Sequence, residues 1–138
     1  MTGSTDQASS PPSSGPEAAG GVVLVVDDEP AVRRVLARSL RELGHRSVPV
    51  ESGEHAIAWL DAGEGPPVLA IVDMMMPGMN GTETVTALRA RLPSLPVIAC
   101  TAYALSATTV LELPDTELLE KPFDLAQLAA CLGKLLPA

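Results

Sequence analysis

The sequence predicts an α/β domain, five parallel strands alternating with five helices that cover both faces of one sheet. Three observations carry this. Val22-Val23-Leu24-Val25-Val26, Val68-Leu69-Ala70-Ile71-Val72 and Val97-Ile98-Ala99-Cys100 are short, unbroken apolar runs rich in β-branched residues, the pattern of strands buried on both sides. Between them lie stretches with apolar residues at helical spacing. Each run stops on a polar residue: Asp27, Asp73 and Thr101.

The first strand stops at Asp27-Asp28-Glu29, and Pro30 suits the first helical position, where no backbone donor is missed. Val32, Val35, Leu36, Leu40 and Leu43 then follow helical spacing until Gly44 ends the run. Arg46 to Val50 is a shorter, more polar strand nearer an edge. Ser52 caps a second helix with Ala56, Ile57 and Leu60 on one face, and Gly63 to Pro67 close it.

The strand ending on Asp73 is followed by Pro77-Gly78 and by Asn80-Gly81-Thr82-Glu83, a capping-box pattern that opens a third helix with Val85, Leu88 and Leu92 inward. Pro93 and Pro96 bracket the turn into the fourth strand. A short helix over 104–113 is expected next, although Thr108-Thr109-Val110 is β-branched and Pro114 cuts the segment off. Glu117 to Glu120 is a weak fifth strand before Lys121-Pro122-Phe123. Asp124, with Gln127 three residues on, caps a last helix whose Leu125, Leu128, Ala129, Leu132 and Leu135 point inward.

Composition narrows the possibilities. At 138 residues there is one domain, and with 46% apolar but only 2% aromatic residues its core must be aliphatic. A net charge of −8 argues against nucleic-acid binding, which needs a basic footprint. No apolar run approaches a membrane span and no signal pattern opens the chain, so the expected location is the cytoplasm. Residues 1–20 are mostly Ser, Pro, Gly, Thr and Ala with almost nothing to bury, a disordered tail ahead of a domain over 21–138. Cys100 and Cys131 sit in apolar contexts without CxxC spacing or a nearby His, and read as buried, inert thiols. Met74, Met75, Met76 and Met79 lack the His or Cys of a soft-metal site and read as loop and core filling. His45 and His55 read as solvated, and Trp59 has no assignable role.

In a parallel sheet the carboxyl ends of all strands share one edge, where open α/β folds place their chemistry. That edge collects Asp27, Asp28, Asp73, Thr101 and Lys121. Taken alone, Asp73 would read as readily as a turn cap. Together, three crowded carboxylates repel unless a cation sits among them, and hard oxygen donors suit Mg²⁺. Lys121 is one of only two lysines in the chain. A carboxylate beside a metal, an ammonium and a hydroxyl is equipped to accept a phosphoryl group.

Val25-Val26-Asp27-Asp28-Glu29-Pro30, Asp73 through Gly81, Thr101-Ala102 and Lys121-Pro122-Phe123 together resemble a two-component response-regulator receiver domain, over roughly residues 21–136. The resemblance implies a flavodoxin-like sheet of order 2-1-3-4-5. It implies that Asp73 is the phosphoacceptor and that Asp28 and Asp73 ligate Mg²⁺ directly, Asp27 acting largely through water. The backbone carbonyl of Met75 would complete the protein's share of the metal shell, with Thr101 and Lys121 on the phosphoryl oxygens. It further implies a cis bond between Lys121 and Pro122, and a histidine kinase or histidine phosphotransferase as phosphodonor.

Arg34, Arg38 and Arg41 form a stripe on the first helix, ordinarily a solvated face helped by Glu29–Arg33 and Arg38–Glu42 pairs. The resemblance adds that this helix docks the phosphodonor. Two departures from the family pattern concern output: Leu118 stands where receivers usually carry an aromatic, and the interval from Thr101 to Lys121 is slightly short. Met75 and Tyr103, flanking the path of a hydrolytic water in this family, predict a long-lived phosphoryl group.

The expected function is a signalling phosphoacceptor, not a turnover enzyme, either free-standing or cut from a hybrid histidine kinase. It would signal to a downstream protein through the face made by the fourth helix, fifth strand and last helix, which could also dimerise. An unphosphorylated pseudo-receiver that binds partners constitutively is the alternative. A haloacid-dehalogenase-like hydrolase would want an acid where Met75 stands.

Overall fold

The computed structural model describes residues 21–63, 65–102 and 113–136. The tail expected over 1–20, Tyr103, and the helix expected over 104–113 (Leu113 apart) lie outside the described residues. Among those described, five strands and four helices run in the order β1 (Val22–Val26), α1 (Pro30–Glu42), β2 (Arg46–Val50), α2 (Gly53–Asp61), β3 (Leu69–Asp73), α3 (Gly81–Arg91), β4 (Val97–Thr101), β5 (Thr116–Glu120) and α4 (Leu125–Leu135). The sheet order is β2-β1-β3-β4-β5 with every pairing parallel, the expected 2-1-3-4-5 arrangement. The central strand starts one residue later than its apolar run and takes in Asp73 itself, which pairs with Cys100.

Alternation along each strand divides the core into two layers. Leu24, Val26, Ala70, Val72, Val97 and Ala99 face one side, with Ala56 of α2 and Val85 and Leu88 of α3. Val23, Val25, Leu69, Ile71, Ile98 and Cys100 face the other, with Leu36 and Leu40 of α1 and Leu128, Cys131 and Leu132 of α4. Trp59 packs, half-buried, against the first layer, which gives it a structural role. Leu118 packs partly buried against that same layer, so at this position the chain puts an aliphatic side chain into the core.

The punctuation follows local chemistry. Asn80 accepts from the Glu83 N–H and donates its own N–H to the Glu83 carboxylate, both at 2.9 Å. Asp124 and Gln127 exchange the same two bonds at 2.8 Å. Ser52 accepts from the His55 N–H at 3.0 Å, and its hydroxyl also meets His55 Nδ1 at 2.6 Å. Gly44, at φ +89°, ends α1 in the left-handed region that favours glycine. Arg89 pins the far end of the sheet, donating to the Leu95 and Asp115 carbonyls at 3.0 and 2.9 Å.

Val35, which shares the helical spacing of α1, is 51% exposed at the margin of that helix's apolar stripe. One inward assignment fails: Leu125 is 39% exposed, at the margin of the apolar stripe of α4. Cys131 takes the buried place on α4 instead, its thiol directed at the Leu118 carbonyl. The expected Glu29–Arg33 pair is not formed: the Arg33 guanidinium donates to the Asp27 carbonyl at 2.6 Å.

Both thiols are free and buried. Burial pushes Cys100 up to about 12, and burial also raises Cys131. Since the thiolate is the nucleophile, neither should be alkylated by iodoacetamide in the native protein at pH 7.5. Both should be alkylated after denaturation, a difference intact mass reads directly.

No helix among the described residues is long and apolar enough to cross a membrane.

Candidate functional site

The carboxyl ends of β1, β3, β4 and β5 meet over a shallow depression of about 320 Å³, lined by Asp28, Glu29, Asp73, Met75, Ala102 and Lys121. Asp27 lies just beneath it and is 1% exposed. All of its polar atoms are engaged. Its N–H donates to the Val50 carbonyl at 3.2 Å, which ties β1 to β2. One carboxylate oxygen accepts from the Glu29 N–H at 2.9 Å, and the other from Lys121 Nζ at 3.2 Å.

Asp73 is 3% exposed, its Oδ1 accepting from the Met75 N–H at 3.1 Å and its Oδ2 lying 3.7 Å from Lys121 Nζ. Asp28 is exposed on the loop above. One oxygen from each of Asp27, Asp28 and Asp73 lies within 4.8 Å of the others. Thr101 is wholly buried at the end of β4, and its carbonyl accepts from the Lys121 N–H at 2.8 Å. That bond places the lysine beside the acids. The Lys121–Pro122 bond is cis, as the resemblance implied.

The electrostatics describe a site short of positive charge. Burial pushes Asp73 up to about 6, the neighbouring Asp27 charge adds to the rise, and the Met75 N–H and Lys121 offset it only in part. Burial works against the Lys121 ammonium, but Asp27 and Asp73 outweigh it and hold its pKa above the usual value. Among the described residues, one ammonium therefore sits amid four carboxylates, Asp27, Asp28, Glu29 and Asp73. Oxygen donors at this spacing, with an acid that burial, and then the Asp27 charge, keep from ionising, fit a hard divalent cation.

Four side chains expected at the site, Asp27, Asp28, Asp73 and Lys121, do converge, and Thr101 flanks them. Sequence reasoning missed Glu29. Its carboxylate lies 3.7 Å from Lys121 Nζ, where a helical i, i+4 pair with Arg33 was expected. The available signal was its position directly after the Asp pair on the same loop.

The family description "Response regulator receiver domain" matches residues 23–132. The chain belongs to the response regulator receiver family. The receiver is 37% identical over 115 residues to the transcriptional regulatory protein TcrA of Mycobacterium tuberculosis, a match covering 82% of this chain and 45% of TcrA. It is 35% identical over 115 residues to the DNA-binding transcriptional regulator NtrC of Salmonella typhimurium, covering 82% of this chain and 24% of NtrC. The receiver thus spans less than half the length of the one and about a quarter of the other.

Among solved structures, it resembles a response regulator receiver protein from Sinorhizobium medicae with TM-score 0.78 and 27% identity, covering 87% of this chain and 97% of that one. The response regulator TrrA of Thermotoga maritima, solved in complex with Mg(2+)-BeF, matches with TM-score 0.72 and 32% identity over 85% of this chain and 100% of TrrA.

Proposed function

We propose that this receiver takes a phosphoryl group from a phosphohistidine onto Asp73, in a Mg²⁺-dependent step, and signals by a conformational change read through protein contact. The observation that carries the reading is the convergence of Asp27, Asp28, Asp73 and Lys121 on one open depression in a chain of this family. The Met75 N–H holds Asp73 Oδ1, which leaves Oδ2 to attack phosphorus. The new bond is O–P, the broken one is P–N, and the imidazole departs with the electron pair. Lys121, already 3.7 Å from Oδ2, meets the negative charge on the transferring group, and Thr101 would donate to another phosphoryl oxygen. Asp28, Asp73 and the Met75 carbonyl would hold Mg²⁺, with Asp27 beneath. When bound, the ion neutralises charge on the acids and on the phosphoryl oxygens.

The donor has a surface to use. An apolar groove of about 400 Å³ lies between Ala31, Val32 and Val35 of α1 and Pro122 and Phe123, and it shares Ala102 and Lys121 with the acidic depression. A helix seated there brings its histidine to Asp73, and the exposed Arg34, Arg38 and Arg41 would meet acidic residues beside it. A histidine kinase or histidine phosphotransferase fits this role. The domain acts as a signalling phosphoacceptor in the cytoplasm and not as a turnover enzyme, and its net charge of −8 speaks against direct contact with nucleic acid.

Intact mass after incubation with acetyl phosphate and Mg²⁺ tests this. One phosphoryl adduct is expected, abolished by chelating the metal. Absence of both adduct and Mg²⁺ binding would favour a constitutive interaction module. A second expectation concerns lifetime. Met75 is 53% exposed and lines the depression beside Asp73, where its apolar side chain obstructs an in-line water. Met75→Asn should shorten the lifetime of the aspartyl phosphate several-fold, followed by loss of adduct mass after the donor is removed.

A further inference from the structure

Among the described residues, Glu29 is the one charged side chain of the depression that the acceptor chemistry leaves without a task. It precedes α1 as its N-cap residue, yet its side chain makes no capping bond. It does not pair with Arg33, whose guanidinium is engaged by the Asp27 carbonyl. Its own N–H is fixed by Asp27, which holds the residue at the rim. From there the carboxylate reaches over the opening to within 3.7 Å of Lys121 Nζ, while remaining 64% exposed. A phosphodonor entering the depression therefore meets the Glu29 negative charge at its rim, beside the ammonium.

We propose that Glu29 is a specificity-determining residue that selects among phosphodonors by charge, holding back small free phosphoanions while a donor docked on a protein surface is delivered past it. This rests on Asp73 being the acceptor. Like charges at the mouth repel a dianion more than a monoanion, and the repulsion operates through water, so salt screens it. A protein-borne phosphohistidine offsets the same repulsion with the contacts of its docked surface. Glu29 also competes with the incoming phosphoryl oxygens for Lys121, and removing its charge relieves both effects together.

The test compares second-order rate constants for phosphorylation of the full chain, wild type against Glu29→Gln, at low salt with saturating Mg²⁺. Acetyl phosphate serves as the dianionic donor and phosphoramidate as the donor carrying one negative charge fewer. Glu29→Gln should accelerate the acetyl phosphate reaction roughly two- to fivefold, accelerate the phosphoramidate reaction less, and lose most of the advantage at high salt. Glu29→Asp, which keeps the charge, should stay close to wild type. Equal effects on both donors, or no effect at low salt, would overturn the proposal and leave Glu29 as a solvated residue at the start of a helix. If wild type takes up no phosphoryl group from either donor, the acceptor reading has failed instead.

Discussion

Asp73→Asn should abolish the phosphoryl adduct and, without divalent cation, make the folded domain more stable than wild type at neutral pH. Both outcomes come from the same carboxylate. Asparagine offers the Met75 N–H the same acceptor geometry but no anionic oxygen to attack phosphorus. Its amide also carries no charge to bury beside Asp27. The stabilising effect can be signed. In the fold Asp73 titrates near 6 instead of its ordinary 3.8, chiefly because it is buried. A raised acid keeps its proton longer in the folded state, so its favourable contribution is present below the unfolded value and is lost as pH rises through the folded one. Metal-free wild type should therefore lose stability between about pH 4 and pH 6, and Asp73→Asn should lack that loss. At pH 7 the variant should gain about 1–3 kcal/mol, measured as urea midpoints across the pH range. Mg²⁺ should reverse the order, stabilising wild type and leaving Asp73→Asn little changed. A variant less stable than wild type in metal-free buffer at pH 7 would contradict this account of the site.

Gly81→Ala should be the most damaging single methyl in the described part of the molecule. A Cβ there would lie 2.5 Å from the Met74 Cα and 2.8 Å from the Asp73 carbonyl oxygen. Both are backbone atoms, so no rotamer change relieves the clash. Either α3 moves outward or the chain leaving β3 moves, and the latter carries the acceptor with it. The expected cost is about 2–4 kcal/mol, with phosphorylation slowed in whatever fraction remains folded. Gly133 supplies the control. It lies within α4, and a Cβ there meets nothing within 4 Å. Gly133→Ala should stabilise by about 0.5–1 kcal/mol through helix propensity alone. The two variants should therefore shift the thermal midpoint in opposite directions, although the chemical change is identical.

The interior strands were legible in the sequence because their burial is nearly complete. Residues 23–26 and Val97–Thr101 are enclosed on both faces, so their whole composition, and not only its alternation, is constrained. The caps at Asn80 and Asp124 were legible because their partners lie three residues away and need no tertiary information. The acidic cluster was legible because parallel strands bring their ends to one edge whatever packs around them. What escaped depended on neighbours the chain does not name locally. Helical spacing places Val35 and Leu125 on an apolar stripe but does not reveal that the stripe's margin is uncovered. Glu29 had two cations in prospect, Arg33 close by in sequence and Lys121 far away. The decision turned on the Asp27 carbonyl engaging the guanidinium first, a tertiary fact.

The bond between Lys121 and Asp27 spans 94 residues. During synthesis the whole acidic cluster emerges well before its counter-ion, and the ammonium is placed only after β5 has joined the sheet edge at β4. Within this domain the site is therefore completed only when β5 has been placed. A receiver truncated before β5 would keep every carboxylate of the site and lack the cation that balances them. If Asp73 is the acceptor, phosphoryl uptake would also report that the domain has folded through β5.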